Sequence, residues 1–244
     1  MDNWFSEWFA SEEYLDVYNH RDGNDAKKLV KLILQNISLP ENASILDAAC
    51  GPGRYLKEFA ELGFRVFGFD LSLPLLSIAA KKAVKYNLQF NLVNSDLRIA
   101  YFKKQFNLII NLFTSFGYFF RDEENFSFVK NSYEMLDKNG YFVFDYFNKN
   151  FVINNLVPES ERIINDKRIT EKRLIKDNRV VKKMMIHTND YTKNFVESVG
   201  LYTCDEIISG FGAAGYKVSS VFGNYEGDNF DNYNSERLII IFTK

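Results

Sequence analysis

Between residues 44 and 147 the chain repeats one unit: a short apolar run, a polar turn, then a segment with apolar residues at helix spacing. The runs cover residues 44–48 (SILDA), 65–70 (RVFGFD), 88–93 (LQFNLV), 106–113 (FNLIINLF) and 141–147 (YFVFDYF). Between them, Tyr55, Leu56, Phe59 and Ala60 share one helical face. So do Leu76, Ala79, Ala80 and Ala83, and then Phe126, Val129, Tyr133 and Leu136. The spacing predicts helices after Gly53, over 73–86 with Pro74 in the first turn, and over 123–136. Strand–helix alternation of this kind predicts an α/β fold with a doubly wound, mostly parallel sheet. The 106–113 run is apolar almost throughout, as a central strand requires. Such sheets bind ligands at the carboxyl ends of their strands.

The flanks read differently. Trp4, Phe5, Trp8 and Phe9, then Ala26, Leu29, Val30, Ile33, Leu34 and Ile37, recur at helix spacing until Pro40. Residues 1–42 are expected to form a helical N-terminal cap. From 151 to 199 charged and apolar residues alternate, with turn pairs at Asn165-Asp166, Asp177-Asn178 and Asn189-Asp190. That segment reads as an inserted antiparallel sheet of three or four strands. It serves as a half-solvated sheet, a wall or lid over the site, or a dimer surface. Thr203 with Glu206 forms a capping box before a helix, and two closing strands follow. Residues 43–150 and 200–244 thus make one ligand-binding domain interrupted by the insertion.

The sharpest chemical signal is ILDAACGPGRY, residues 45–55. A dinucleotide fingerprint needs three glycines for a pyrophosphate. Here Gly51 and Gly53 fit, but Leu56 takes the third place and Pro52 removes a backbone N–H. Asp47 also sets a carboxylate where phosphate would lie. These residues disfavour a nicotinamide cofactor and favour a ligand that is cationic at this point. S-adenosylmethionine carries a sulfonium and an α-ammonium and no phosphate. A carboxylate gains a charge-assisted hydrogen bond from the ammonium, directly or through water. Asp70 ends the second run at the position of a ribose-binding acid. Asp96, in NSDLR, can accept from an adenine amino group. The segment 111–120 (NLFTSFGYFF) offers apolar surface to adenine or acceptor.

ILDAACGPGRY, VFGFDLS, NSDLR, FNLIINLFTSFGYF and NGYFVFDYFN together resemble the successive motifs of class I S-adenosylmethionine-dependent methyltransferases. The resemblance covers about 44–147 and extends to the closing strands. It implies a seven-stranded Rossmann-like sheet whose last strand is antiparallel. The late insertion and the ending SERLIIIFTK look like a bacterial subgroup acting on small molecules. On this reading the cofactor residues are Asp47, Ala48, Cys50, Gly51, Gly53, Asp70, Leu71, Ser72, Asp96, Leu97 and Asn111. Tyr18 and Arg21 join them from an N-terminal segment folded over the ligand. The candidates for proton transfer or acceptor contact are His20, Tyr18, Tyr118, Asp145 and Tyr146, with Asn148 beside them. Cys50 has no adjacent base and reads as a packed small residue of the loop.

Composition closes off other classes. Thirty basic and 32 acidic residues leave a net charge of −2, which disfavours nucleic acid as main partner. Two cysteines and two histidines without close spacing make no zinc site, so no metal is expected. The acidic, aromatic N-terminus lacks the features of a signal peptide, and the expected location is the cytoplasm. No run reaches the ~20 apolar residues of a membrane span. The expected activity is methyl transfer to a small-molecule nitrogen or oxygen by in-line displacement, from a monomer or homodimer. The alternatives are an RNA or protein methyltransferase, whose sign is a basic stripe over Lys167, Arg168, Lys172, Arg173, Lys182 and Lys183, and a non-catalytic cofactor-binding scaffold.

Overall fold

The computed structural model describes residues 4–18 and 23–244. His20 and Arg21 lie outside the described residues. Seven strands form the main sheet: β1 (Ser44–Ala48), β2 (Arg65–Asp70), β3 (Phe90–Asn94), β4 (Phe106–Asn111), β5 (Leu136–Phe147), β10 (Lys217–Phe222) and β11 (Arg237–Thr243). Their order is β10-β11-β5-β4-β1-β2-β3, with β11 antiparallel to both neighbours and β1 to β5 parallel. A second sheet, β6 (Glu159–Ile164), β7 (Lys167–Lys176), β8 (Arg179–His187) and β9 (Thr192–Gly200), is a pure antiparallel meander.

Period-two alternation sorts the main sheet's side chains onto two faces. Ile45, Leu108, Ile110, Val143, Ile239 and Ile241 meet α3 (Gly23–Asn36) and α4 (Arg54–Glu61). Leu46, Ile109, Phe142, Phe144, Ile240 and Phe242 meet α7 (Ser127–Met135) and α9 (Cys204–Ala213). The 1–42 cap therefore divides. Ala26, Leu29, Val30 and Ile33 of α3 belong to the main core. Only α1 (Trp4–Ala10) and α2 (Glu12–Tyr18) pack on the second sheet, where Trp8 and Val17 join Ile169, Met184, Ile186 and Phe195.

Several edges differ from the periodicity. The third strand starts at Phe90, because Asn87 takes a left-handed φ of 52° just after α5 (Leu73–Lys85).

 The left-handed backbone at Asn87 closes the helix, and extended backbone resumes only at Phe90. β4 stops at Asn111 rather than 113, since Phe113 and Thr114 take φ of 61° and 64°. The expected 123–136 helix is two pieces, α6 (Asp122–Asn125) and α7, and Leu136 already belongs to β5. In the insertion, Asn165-Asp166 and Asp177-Asn178 all have positive φ, the geometry of tight two-residue hairpin turns. Among the described residues no helix is long and apolar enough to cross a membrane.

Candidate active site

The carboxyl ends of β1 and β2 are stitched together by Asp70. Its Oδ2 accepts from Gly51 N–H at 2.8 Å and its Oδ1 from Ser72 N–H at 2.8 Å. Cys50 N–H donates to the Phe69 carbonyl at 2.9 Å. The loop after β1 turns through positive φ at Ala49, Gly51 and Gly53. Gly53 serves helix packing: a Cβ there would stand 3.0 Å from that of Ala79. Cys50 packs over Gly68, and burial pushes its thiol well above the ordinary range, which disfavours the thiolate.

Asp47 is 2% exposed, and its Oδ2 has no hydrogen-bond partner among the described residues. Burial raises its carboxyl to about 8, the nearby Asp70 charge adds to this, and Arg54 acts against it. An isolated buried carboxylate is costly, and Asp47 lies behind the loop without itself lining the cavity that runs along these strand ends. Asn111 stands behind the loop, donating to the carbonyls of Ala48 at 3.0 Å and Ser115 at 3.3 Å.

A cavity of about 400 Å³ runs along these strand ends. Ala49, Gly51, Asp70, Leu71, Ser95, Asp96 and Leu97 line one part of it. Burial acts to raise the Asp96 carboxyl, but Arg98, paired at 2.6 Å, brings it below its ordinary value. Trp4, Phe5 and Phe9 of α1 and Tyr14 and Tyr18 of α2 also line the cavity, as do Phe113, Thr114, Tyr118 and Phe147. The second sheet contributes Arg173, Val180, Lys182, Glu197 and Val199. The insertion is thus a wall of this cavity.

Two sets of bonds hold that wall and the helices above it. Arg179, 8% exposed, donates to the carbonyls of Phe119 (2.9 Å), Gly117 (3.0 Å), Tyr118 (3.0 Å) and Ser198 (2.7 Å) and to Ser198 Oγ (2.8 Å). Glu197 accepts from Trp8 Nε1 at 2.6 Å and Tyr18 Oη at 2.5 Å, and pairs with Lys182 at 2.6 Å. On the opposite side Ser72 Oγ donates to the Phe9 carbonyl at 2.7 Å. Gly117 has φ +83°, and a Cβ there would lie 3.0 Å from Tyr146 Oη and 3.3 Å from Gly200 N. Gly117→Ala is expected to cost ~1–3 kcal/mol in chemical denaturation, from the left-handed backbone and the crowding together.

The cavity therefore brings together Gly51, Asp70, Leu71, Asp96, Leu97, Tyr18 and Tyr118. Other sequence candidates take structural places. Tyr146 is fully buried and donates to the Gly200 carbonyl, so its phenol faces packing and not an acceptor. Asp145 is also fully buried. It pairs with Arg237 at 2.7 Å and accepts from Phe113 N–H at 2.8 Å and Tyr225 Oη at 3.1 Å. Asn148 caps α8 (Lys149–Asn154) and binds the carbonyls of Asp231, Asn232 and Ser235. Ser72 caps α5, and Asp47, Ala48, Cys50, Gly53 and Asn111 pack in or beside the loop without lining the cavity. Sequence reasoning missed Arg179, Glu197 and Arg237. Their roles rest on partners far off in the chain, and no local pattern marks them.

The profile of the methyltransferase-domain family matches residues 45–140. Over those residues the chain is similar to methyltransferase domains. Among curated proteins it is 33% identical to the "Putative methyltransferase YqeM" of Bacillus subtilis (strain 168) over 54% of this chain and 53% of that one. It is 31% identical to the dTDP-3-amino-3,4,6-trideoxy-alpha-D-glucopyranose N,N-dimethyltransferase of Streptomyces venezuelae over 43% of this chain and 42% of that one. The match thus spans about half the length of these relatives. The crystal structure of an S-adenosylmethionine-dependent methyltransferase from Clostridium acetobutylicum ATCC 824 shares the whole fold. It superposes with a TM-score of 0.82 at 16% identity, over 95% of this chain and 97% of that one.

Proposed function

We propose that this protein transfers a methyl group from S-adenosylmethionine to a nitrogen or oxygen of a small molecule. The observation that carries the reading is one cavity joining the acid-bearing β1 loop to a chamber walled by α1, α2 and the second sheet. The donor set fits the cofactor. Asp47 has an unpartnered buried oxygen for an ammonium, Asp70 suits the ribose hydroxyls, and Asp96 and Leu97 suit the adenine. Bound there, the cofactor supplies a methyl carbon already activated by its sulfonium. The chain's own work is to align the acceptor and exclude water, which aromatic walls from Trp4, Phe5, Phe9 and Tyr118 favour. A neutral amine needs no general base, and a nitrogen acceptor agrees with the amino-sugar dimethyltransferase among the relatives. No metal group is formed by the described residues, and none is needed for this chemistry.

A macromolecular acceptor is disfavoured by the fate of the basic stripe. Arg168 pairs with Glu161 and Lys172 with Glu159, while Lys167, Arg173 and Lys182 pair with Asp16, Glu171 and Glu197, which leaves Lys183 as the exposed member without an ion pair among the described residues. Calorimetric titration with S-adenosylhomocysteine tests the proposal. Asp70→Ala is expected to weaken binding ~10–100-fold, by removing a charged acceptor and loosening the Gly51 loop. NADH is expected not to compete. Absence of binding by the unaltered protein, or displacement by NADH, overturns the reading.

A further inference from the structure

The charges facing the cavity are uneven. Away from Asp70 and Asp96, its lining holds three basic side chains, Arg173, Lys182 and Arg237, and one carboxylate, Glu197. Both Glu197 oxygens are already engaged by Trp8, Tyr18 and Lys182. The carboxylates that hold the two arginines, Asp145 and Glu171, are 0% and 3% exposed and do not line the cavity. Each arginine is thus gripped from behind by a buried acid.

Arg237 is the clearest case. Its Nε and Nη2 donate to Asp145 Oδ1 at 2.9 and 2.7 Å, and Nη2 also reaches Thr114 Oγ1 at 3.3 Å. Its Nη1 bonds to no described residue and is not among the sealed, unpartnered atoms, although the residue lines the cavity. A guanidinium fixed on one edge and open on the other is a preformed anion acceptor. Arg173 is held more fully, because its Nη1 also donates to the Val157 carbonyl at 3.4 Å. It is held by Glu171 and by Ser160 Oγ at 3.0 Å, and its Nε has no bond to a described residue.

We propose that the methyl acceptor carries an anionic group, a carboxylate or a phosphate, that docks on the open edge of Arg237, with Arg173 and Lys182 lining the same cavity. This rests on the methyltransferase reading and narrows its substrate class. An acceptor with an anionic handle is anchored away from the atom that takes the methyl group. Binding energy at the handle then serves alignment.

The test uses the full chain saturated with S-adenosylhomocysteine, whose binding is measured first. Failure at that step sinks the methyltransferase reading itself. The loaded protein is then titrated with thymidine diphosphate, inorganic pyrophosphate and glutarate, and with thymidine as the neutral control. At least one anion is expected to bind, more weakly as salt rises, with thymidine ~tenfold weaker or silent. Arg237→Gln is expected to weaken that anion ~tenfold or more while S-adenosylhomocysteine affinity stays within about twofold. Binding of the diphosphates points to a phosphate-bearing acceptor, and binding of glutarate to a carboxylate. If Arg237→Gln does not fold, Arg173→Gln carries the same comparison. The proposal is overturned if the loaded protein binds no anion, binds thymidine as well as its diphosphate, or is indifferent to the folded variant.

Discussion

Asp47→Asn is expected to make the ligand-free protein more stable and its hold on S-adenosylhomocysteine weaker. The folded carboxyl sits near 8 against an ordinary 3.8, raised first by burial and then by the Asp70 charge. Between those pH values the folded state binds more protons than the unfolded one, so stability falls as pH rises from about 4 to about 8. Above 8 the full cost of the buried charge is present, and below 4 none of it is. A neutral amide removes that cost, a gain on the order of 2–5 kcal/mol at pH 8 and none at pH 4. The ligand's ammonium reverses the balance by stabilising the ionised form. Affinity should therefore climb toward pH 8, by at most ~tenfold per pH unit, and level off above it. The asparagine variant should lose that slope. Urea denaturation at pH 5 and 8, with calorimetry at pH 6, 7 and 8, reads both effects. Equal pH slopes in the two proteins would show that Asp47 does not meet the ligand's charge.

Arg179→Ala is expected to be the most damaging change outside the main core. One buried side chain there satisfies four backbone carbonyls and the Ser198 hydroxyl. Burial lowers the Arg179 pKa, so the charge is held by those dipoles and by the Phe120 ring 4.6 Å away. Truncation leaves the carbonyls of Gly117, Tyr118 and Phe119 without this donor and frees the second sheet from the loop after β4. The expected loss is ~3–5 kcal/mol, or roughly 10 °C in melting temperature for a chain of this size. Because the same sheet walls the cavity, acceptor binding should suffer with stability. Thermal denaturation with hydrogen exchange over 117–119 and 179–200 measures it. Unchanged protection in those segments would mean that the insertion is held by something else.

The main sheet was legible because its signals are local. Alternation at Leu108, Ile109 and Ile110 sends side chains to opposite faces, and the structure splits them between two cores. Asn165-Asp166 and Asp177-Asn178 announce hairpins because these residue types tolerate a left-handed backbone. The β1 loop with Asp47, Gly51 and Asp70 could be read because spacing alone puts an acid and glycines at adjacent strand ends. Asp145 and Tyr146 misled for a related reason. Their position at the end of β5 suggested the pocket, but only the docked strands show that β11 and the β9 end cover them.

The sequence by itself determined the strand order's raw material, the two hairpin turns and a β1 loop that sets an acid beside glycines, since each depends on residues within a few positions of one another. The tertiary structure alone decided the chamber above that loop. Trp8 meets Glu197 across 189 positions, Arg237 meets Asp145 across 92 and Arg179 meets Phe119 across 60. Contacts at such separation are fixed by how the sheets pack, and no local pattern of residues encodes them.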